Sequence, residues 1–210
     1  MSAPEPLDRR LFQREDESPD PFFYSEPRLT VHIDDAAIAA ATEVYREILP
    51  DDGLILDLMS SWRSHLPPDT GYDEVVGLGL NAEEMAGNPQ LDRYLVHDLN
   101  ADPRLPFEDE LFDGAVVTVS VQYMTQPVAV FREVNRVLRS GSPFVLTYSN
   151  RCFPTKAIAA WLATTDQQHA NIIATYFHES GNWGEVYAQD RSHRTDGYSD
   201  PLYAVWAWKR

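Results

Sequence analysis

The sequence predicts an α/β domain built on a doubly wound, mostly parallel sheet, and three observations lead to this prediction. Short and almost continuous apolar runs recur along the 210 residues, as parallel strands buried on both faces require. Segments with helical spacing of apolar residues separate these runs. The final run alternates in character and follows Asp200-Pro201, which is typical of an antiparallel strand that closes such a sheet. This alternation implies right-handed crossovers within one layered domain.

Seven strands are predicted, each from an apolar run with turn residues beside it. The run that starts at Gly114 is the strongest, because β-branched residues dominate it. The last run, which ends at Trp208, is predicted to lie antiparallel to its neighbour. In chain order the predicted strands are 54–58, 74–79, 94–97, 114–121, 143–148, 184–188 and 202–208.

Five helices are predicted, one before the first strand and four between later strands. Asn81 is followed three residues later by Glu84, which predicts a capping box in which each side chain bonds the other residue's backbone N–H. Pro127 predicts a helix start, and Gly141 predicts the stop of the same helix. The predicted helices begin, in chain order, at Asp34 or Asp35, at Asn81, at Pro127, at Pro154 and at about residue 167.

The chain is predicted to have three parts. Residues 1–21 are rich in proline and charged side chains and have few apolar anchors, which predicts a flexible N-terminal arm. Residues 22–50 are predicted to form an N-terminal lid and helix. Residues 51–210 are predicted to form the α/β domain itself.

The composition restricts the classes of function. The net charge is −16 and the basic residues do not cluster, so neither nucleic acid nor an anionic membrane is an expected partner. No apolar run approaches the ~20 residues of a membrane span, and no secretory signal is present, so cytoplasmic residence is expected. Cys152 is the sole cysteine and no His-x-x-x-His pair occurs, so neither a disulfide nor a metal site is expected. A small-molecule substrate is the expected partner, and a homodimer or a partner subunit is compatible with the sequence.

The predicted topology also indicates where a ligand binds. In doubly wound sheets, ligands lie outside the carboxyl ends of the strands, near the switch in strand order. The residues that follow each strand are therefore the first candidates for a site. These loops are 57–65, 79–84, 98–102, 120–126 and 149–156.

Four segments resemble a known family, and the last of them, residues 202–207, resembles its closing strand. Residues 105–113, which read Leu-Pro-Phe-Glu-Asp-Glu-Leu-Phe-Asp, resemble the LPF-acidic-FD segment of class I S-adenosylmethionine-dependent methyltransferases of the type 11 group. Residues 131–144 resemble the helix, turn and fifth strand that follow in that family, and residues 75–85 resemble its second strand and next helix. The resemblance extends over about residues 30–210 in unbroken order. It implies a Rossmann-like methyltransferase fold with S-adenosylmethionine as the cofactor.

The loop after the first strand departs from the family's pattern. The family places an acid and three alternating glycines there, and the glycines allow the backbone to approach the cofactor closely. Here the acid is Asp57, but Met59, Ser61 and Arg63 stand at the glycine positions. Gly79 stands where the family has the acid that binds the ribose hydroxyls.

The resemblance implies a set of residues around the cofactor. Asp98 or Asp102 matches the acid that the family places near the adenine. Gln122 and Tyr123 follow the fourth strand, where the family has groups that touch substrate or cofactor, and Tyr123 is taken as a catalytic candidate. Serine and asparagine side chains can supply hydrogen bonds in place of the missing glycines and acid. The predicted cofactor-binding residues are Asp57, Ser60, Ser61, Gly79, Asn81, Asp98 and Gln122.

Three further residues are catalytic candidates. Arg63 replaces a glycine that faces the pocket, which favours a bidentate clamp on a carboxylate, sulfate or phosphate. His65 is a candidate base, and a serine-capped helix start with a solvated histidine is the alternative. His32 can form an acid–base pair with Asp34 or Asp35, and a capped helix with a surface histidine explains the same residues.

The sequence leaves three functions open. The first is methyl transfer to a small molecule, in which the protein aligns the nucleophile and removes water. The second is a non-methylating reaction on the same scaffold, for example an intramolecular ring closure that uses the altered pocket. The third is a catalytically silent partner subunit. The fold alone does not separate these functions.

Overall fold

The computed structural model describes residues 7–193 and 198–210, and these residues form a seven-stranded sheet. The strands are β1 Leu54–Leu58, β2 Glu74–Gly79, β3 Arg93–Val96, β4 Gly114–Thr118, β5 Pro143–Tyr148, β6 Tyr187–Asp190 and β7 Tyr203–Trp208. Their order across the sheet is β3-β2-β1-β4-β5-β7-β6. Strand β7 is antiparallel to β5 and β6, and the other pairs are parallel. The predicted fold class, a doubly wound sheet with an antiparallel last strand, is confirmed.

Helices cover both faces of this sheet. The helices are α1 Asp20–Phe23, α2 Asp35–Ile48, α3 Ala82–Ala86, α4 Pro127–Val137, α5 Ala159–Leu162 and α6 Asp166–Ser180. Helix α2 buries Val44 and Tyr45 against one face of the sheet, in a cluster with Val116. Helices α4 and α6 pack on the other face, where Phe131 and Phe177 lie in a second cluster. Within the two described ranges, no helix is long and apolar enough to cross a membrane.

One predicted helix is much shorter than expected. The helix predicted to open at Pro154 starts only at Ala159 and ends at Leu162. The backbone before it bonds instead to the N-terminal segment, because Asp16 N–H donates to the Thr155 carbonyl and Ala159 N–H donates to the Gln13 carbonyl. These long-range bonds use backbone groups that a longer helix would have kept for itself.

The N-terminal segment packs on the domain from residue 7 onward, and residues 1–6 of the predicted arm lie outside the described residues. Lys156 is fully buried, and its Nζ lies 3.1 Å from a carboxylate oxygen of Asp20. Arg14 donates to the same carboxylate at 2.8 Å, and Asn100 donates to it at 2.8 Å. Residues 14–20 are thus held against the loops that follow β3 and β5. The division into arm, lid and domain stays a prediction.

Candidate functional site

A cavity of about 480 Å³ lies at the carboxyl ends of the parallel strands. Its walls come from the N-terminal segment and from the loops after β1, β2, β3, β4 and β5. Gln122 is not part of the wall: its side chain is fully buried and its Nε2 donates to the Val119 carbonyl at 2.8 Å. The other predicted site residues all line the cavity, namely His32, Asp57, Ser60, Ser61, Arg63, His65, Gly79, Asn81, Asp98 and Tyr123.

The connection after β1 contains no helix between residues 59 and 73. Met59 turns the chain with φ 55°, and Ser60 N–H then donates to the Leu78 carbonyl at 2.9 Å. Pro67 and Pro68 follow within the same connection and oppose helix formation there. The alternative of a serine-capped helix start, drawn from the sequence, is therefore wrong.

The loop is tied down by the acid that ends β1. Ser60 Oγ and Ser64 Oγ both donate to Asp57 Oδ2 at 2.6 Å. Asn88 donates to the Ser61 carbonyl and to Ser64 Oγ, both at 2.9 Å. Ser60 and Ser64, which lie beside the positions that the family fills with glycine, thus fold the loop around Asp57.

The position of this loop explains why residue 79 is a glycine. A Cβ at Gly79 would lie 2.1 Å from the carbonyl oxygen of Ser60 and 3.1 Å from Met85 Sδ. No residue with a side chain fits there while the loop keeps this position. The absence of an acid at the end of β2 is therefore coupled to the path of the loop after β1.

One carboxylate that the sequence did not indicate as a site residue contacts the loop after β1. Glu84 is 6% exposed and lines the cavity. Its Oε2 accepts from Ser61 Oγ at 2.5 Å, and its Oε1 accepts from Arg28 N–H at 2.7 Å. The predicted capping box is only half formed: Asn81 caps the helix by accepting from the backbone of Glu83 and Glu84, but the Glu84 carboxylate points to the loop instead.

Burial sets the protonation of the ionisable groups in this wall. Burial raises the pKa of Asp57 to about 6, against the opposing effect of the hydrogen bonds from Ser60 and Ser64. Burial, together with the nearby Arg63 charge, lowers the pKa of His65 to about 4. Burial also lowers the pKa of His32. Both histidines are therefore neutral at pH 7.

Arg63 and His65, the two catalytic candidates in the loop after β1, contact nearby residues of the protein. The Arg63 guanidinium lies 3.8 Å above the Trp62 ring, and its Nη1 donates to the Trp62 carbonyl at 2.6 Å. The same nitrogen lies 3.3 Å from the Gly87 carbonyl. His65 has φ 58°, and its carbonyl accepts from Thr42 Oγ1. The anion clamp at Arg63 and the base at His65 stay predictions.

His32 is not paired with the acids that the sequence offered to it. Asp34 caps α2 through Ala37 N–H and also accepts from Asp200 N–H at 2.7 Å. The His32 ring instead packs edge-on to Phe153, with centroids 5.2 Å apart. The acid–base pair that the sequence allowed is absent from the hydrogen bonds of the described residues, and the alternative, a helix capped by Asp34, is present, with the Asp200 backbone also bound to the Asp34 carboxylate.

Asp98 and Tyr123 fix the loops in which they lie. Asp98 Oδ1 accepts from the backbone of Asn100 and Ala101 at the turn after β3. Tyr123 OH accepts from Phe153 N–H at 2.8 Å, and the two rings stack with centroids 6.0 Å apart. Burial raises the pKa of Tyr123 to about 12, so its hydroxyl keeps its proton near neutral pH.

Comparison with known proteins agrees with this architecture. Residues 64–146 match the family model described as a methyltransferase domain. The biotin biosynthesis bifunctional protein BioHC of Teredinibacter turnerae is 33% identical over 67 residues, which is 32% of this chain and 12% of that protein. The chain therefore spans only about an eighth of the curated relative that it matches.

Solved structures share the fold at low sequence identity. A chain of the Haloferax volcanii complex with the methyltransferase activator Trm112 has a TM-score of 0.61 at 15% identity, covering 83% of this chain and 91% of that one. An S-adenosylmethionine-dependent methyltransferase from Mesorhizobium loti has a TM-score of 0.54 at 18% identity, covering 81% and 98%. The [4+2]-cyclase SpnF has a TM-score of 0.57 at 16% identity, covering 80% and 79%.

These findings confirm the class I methyltransferase resemblance that the sequence carries. The chain has the class I methyltransferase fold, and its middle part matches the methyltransferase domain model. It differs from the family's pattern in the loop after β1, which lacks the glycines, and at Gly79.

Proposed function

We propose that this protein is an enzyme that transfers a methyl group from S-adenosylmethionine to a small molecule. The observation that carries the proposal is the cluster of carboxylates at one half of the cavity. Asp57 lies within β1, and Glu84 and Asp98 lie in the helix and the loop that follow β2 and β3; these three strands are neighbours in the sheet. Carboxylates at this edge suit a ligand with a diol and an ammonium group.

The residues present fit such a cofactor through a changed set of acceptors. Glu84 lies in α3, the helix that follows Gly79 and β2, and each of its oxygens accepts one described hydrogen bond. A carboxylate oxygen has a second lone-pair site, so Glu84 retains acceptor capacity for a ribose diol. The cavity of about 480 Å³ also lies within the usual range of ligand sites.

When bound, S-adenosylmethionine supplies an electrophilic methyl group on a sulfonium centre. The chain's part is to align a substrate nucleophile and to exclude water. Methyl transfer to an oxygen or nitrogen of the substrate would release S-adenosylhomocysteine and would require the nucleophile to give up a proton to the protein or to solvent. His32 lines the cavity in its neutral form, so a ring nitrogen can accept that proton.

Calorimetric titration with S-adenosylhomocysteine tests the proposal. Glu84→Gln should weaken binding about tenfold or more, since a hydrogen bond to a charged group contributes about 1.5–3 kcal/mol. Glu83→Gln is the matched control, because Glu83 is the exposed neighbour on the same helix and should bind like the unchanged protein. No binding by the unchanged protein at millimolar ligand would contradict methyl transfer.

A second function is favoured by one observation. The Ser60 carbonyl lies where an acid at the end of β2 would need room, so the usual ribose contact is blocked on that side. A non-methylating enzyme on this scaffold, such as one that closes a ring, is the alternative, and SpnF is a cyclase of similar fold. This alternative is tested by incubating the dialysed protein, free of S-adenosylmethionine, with a mixture of candidate substrates. Continued substrate turnover would favour it over methyl transfer.

A further inference from the structure

Arg28 forms part of the cavity wall in an orientation fixed by its neighbours. Its Nη2 donates to the Phe23 carbonyl at 2.8 Å. Its Cζ lies 4.7 Å from the centre of the Phe23 ring and 5.4 Å from that of Phe153. A guanidinium stacked on aromatic rings and anchored by one hydrogen bond is oriented before a ligand arrives.

The charge of Arg28 has no carboxylate partner in the described part of the chain. Its Nη1 is buried and has no acceptor among the described residues. Glu84 accepts from the backbone N–H of Arg28, so this nearby acid does not neutralise the guanidinium through a hydrogen bond. A buried cationic donor without an acceptor is unfavourable by about 1–3 kcal/mol or more, which favours an anion at this position when the site is filled.

Apart from Arg63, which lines the cavity after β1, the acidic and basic side chains reach the cavity from different strands. Glu84 and Asp98, whose carboxylates accept hydrogen bonds but face no cationic side chain of residues 7–193 and 198–210 in an ion pair, follow β2 and β3 on one side of β1. Arg28 packs on Phe153, which follows β5 on the other side, and Arg151 lines the same half. A cationic ligand and an anionic ligand can therefore lie side by side without meeting like charge.

The half that holds Arg28 is also aromatic. Tyr24, Tyr123 and Phe153 line it, with Tyr24 and Phe153 in edge contact at 6.5 Å between centroids. Ring faces and edges of this kind bind flat apolar groups well. We propose that the substrate is an aromatic carboxylate whose carboxylate group is held by Arg28 and whose ring lies among these side chains; the methylation step of this inference rests on the proposed function.

The binding step is tested without any cofactor, using 2-naphthoate and its neutral counterpart 2-naphthamide. Tryptophan fluorescence, to which Trp62 in the cavity wall contributes, gives a qualitative signal of binding, and calorimetry gives the affinities. The expected result is that naphthoate binds about tenfold more tightly than naphthamide, as one charge-assisted contact provides. Equal affinity of the two compounds, or no binding of either, would overturn the proposal.

Variants at Arg28 assign the preference to this side chain. Arg28→Gln should remove the preference for naphthoate and leave the affinity for naphthamide unchanged, and Arg28→Lys should restore only part of it. Arg132→Gln, at an exposed position of α4, is the control and should behave like the unchanged protein. If Arg28→Gln keeps the full preference, Arg28 does not hold the carboxylate. Because no cofactor is used, failure here is distinct from failure to bind S-adenosylhomocysteine.

Discussion

Gly79→Ala is the sharpest test of how the loop after β1 relates to β2. The substitution would place a methyl group 2.1 Å from the Ser60 carbonyl oxygen and 3.1 Å from Met85 Sδ. Strand β2 is hydrogen-bonded to β1 and β3 on its two sides, so the strand has little freedom to move. The loop must therefore move by more than about 1 Å to reach an ordinary carbon–oxygen contact of about 3.3 Å.

The expected loss of stability follows from the bonds that hold Ser60. The bond from Ser60 N–H to the Leu78 carbonyl contributes about 1 kcal/mol, and the bond from Ser60 Oγ to the buried Asp57 carboxylate about 1.5–3 kcal/mol. If the loop moves, both are weakened or lost. Gly79→Ala should therefore lower the free energy of unfolding by about 3 kcal/mol, at the upper end of what an overpacked core position costs.

Denaturant unfolding, followed by tryptophan fluorescence, measures this change. Gly71→Ala is the control, because an added Cβ at Gly71 meets nothing within 4 Å, and it should change stability by less than about 0.5 kcal/mol. Gly77→Ala should lie between the two, since its added Cβ meets the flexible end of Leu91. A Gly79→Ala protein as stable as the unchanged one would refute the placement of the loop against β2.

Two further predictions concern buried charge. Burial raises the pKa of Asp57 from its ordinary 3.8 to about 6, so the folded protein keeps a proton that the unfolded chain has released. Its contribution to the free energy of unfolding should therefore fall by about 3 kcal/mol in all as the pH rises from well below 3.8 to well above 6, with a slope of at most about 1.4 kcal/mol per pH unit, and Asp57→Asn should lack this fall in urea titrations at each pH. Lys156→Met should lower stability by about 3 kcal/mol and expose residues 14–20 to limited proteolysis, because Asp20 loses a buried partner. Lys209→Met, at the other lysine, should leave residues 14–20 protected; equal cleavage in both variants would contradict the role of Lys156.

The strands could be predicted from sequence because their signal is local. Apolar runs define β1, β2 and β5 with the same bounds in sequence and structure. The predicted strand 114–121 ends at Thr118 instead, since Val119 adopts φ 43° and turns the chain. The helix expected from Pro154 failed for a different reason, because its backbone bonds to a segment about 140 residues away, and no local pattern reports such a contact.

The location of the site could also be predicted, but not the roles within it. All but one of the predicted residues line one cavity, and the rule that ligands bind at strand ends placed each of these except His32, which belongs to the N-terminal segment. Gln122 was the exception, because a position after a strand does not say whether the side chain faces the cavity or the core. Glu84 was missed because a capping box explained it equally well. Its buried contact with Ser61 depends on the path of a loop 23 residues earlier in the chain.

The departures from the family's pattern form one coupled set and not separate losses. Ser60 occupies the space that an acid at position 79 would need, so the missing strand-end acid follows from the loop path. Ser61 binds Glu84, and Ser60 binds Asp57, so the same loop connects the Asp57 and Glu84 carboxylates. Restoring an acid alone, as in Gly79→Asp, should therefore destabilise the protein and fail to improve binding of S-adenosylhomocysteine. A functional return to the family's pattern would require the loop after β1 to change together with position 79.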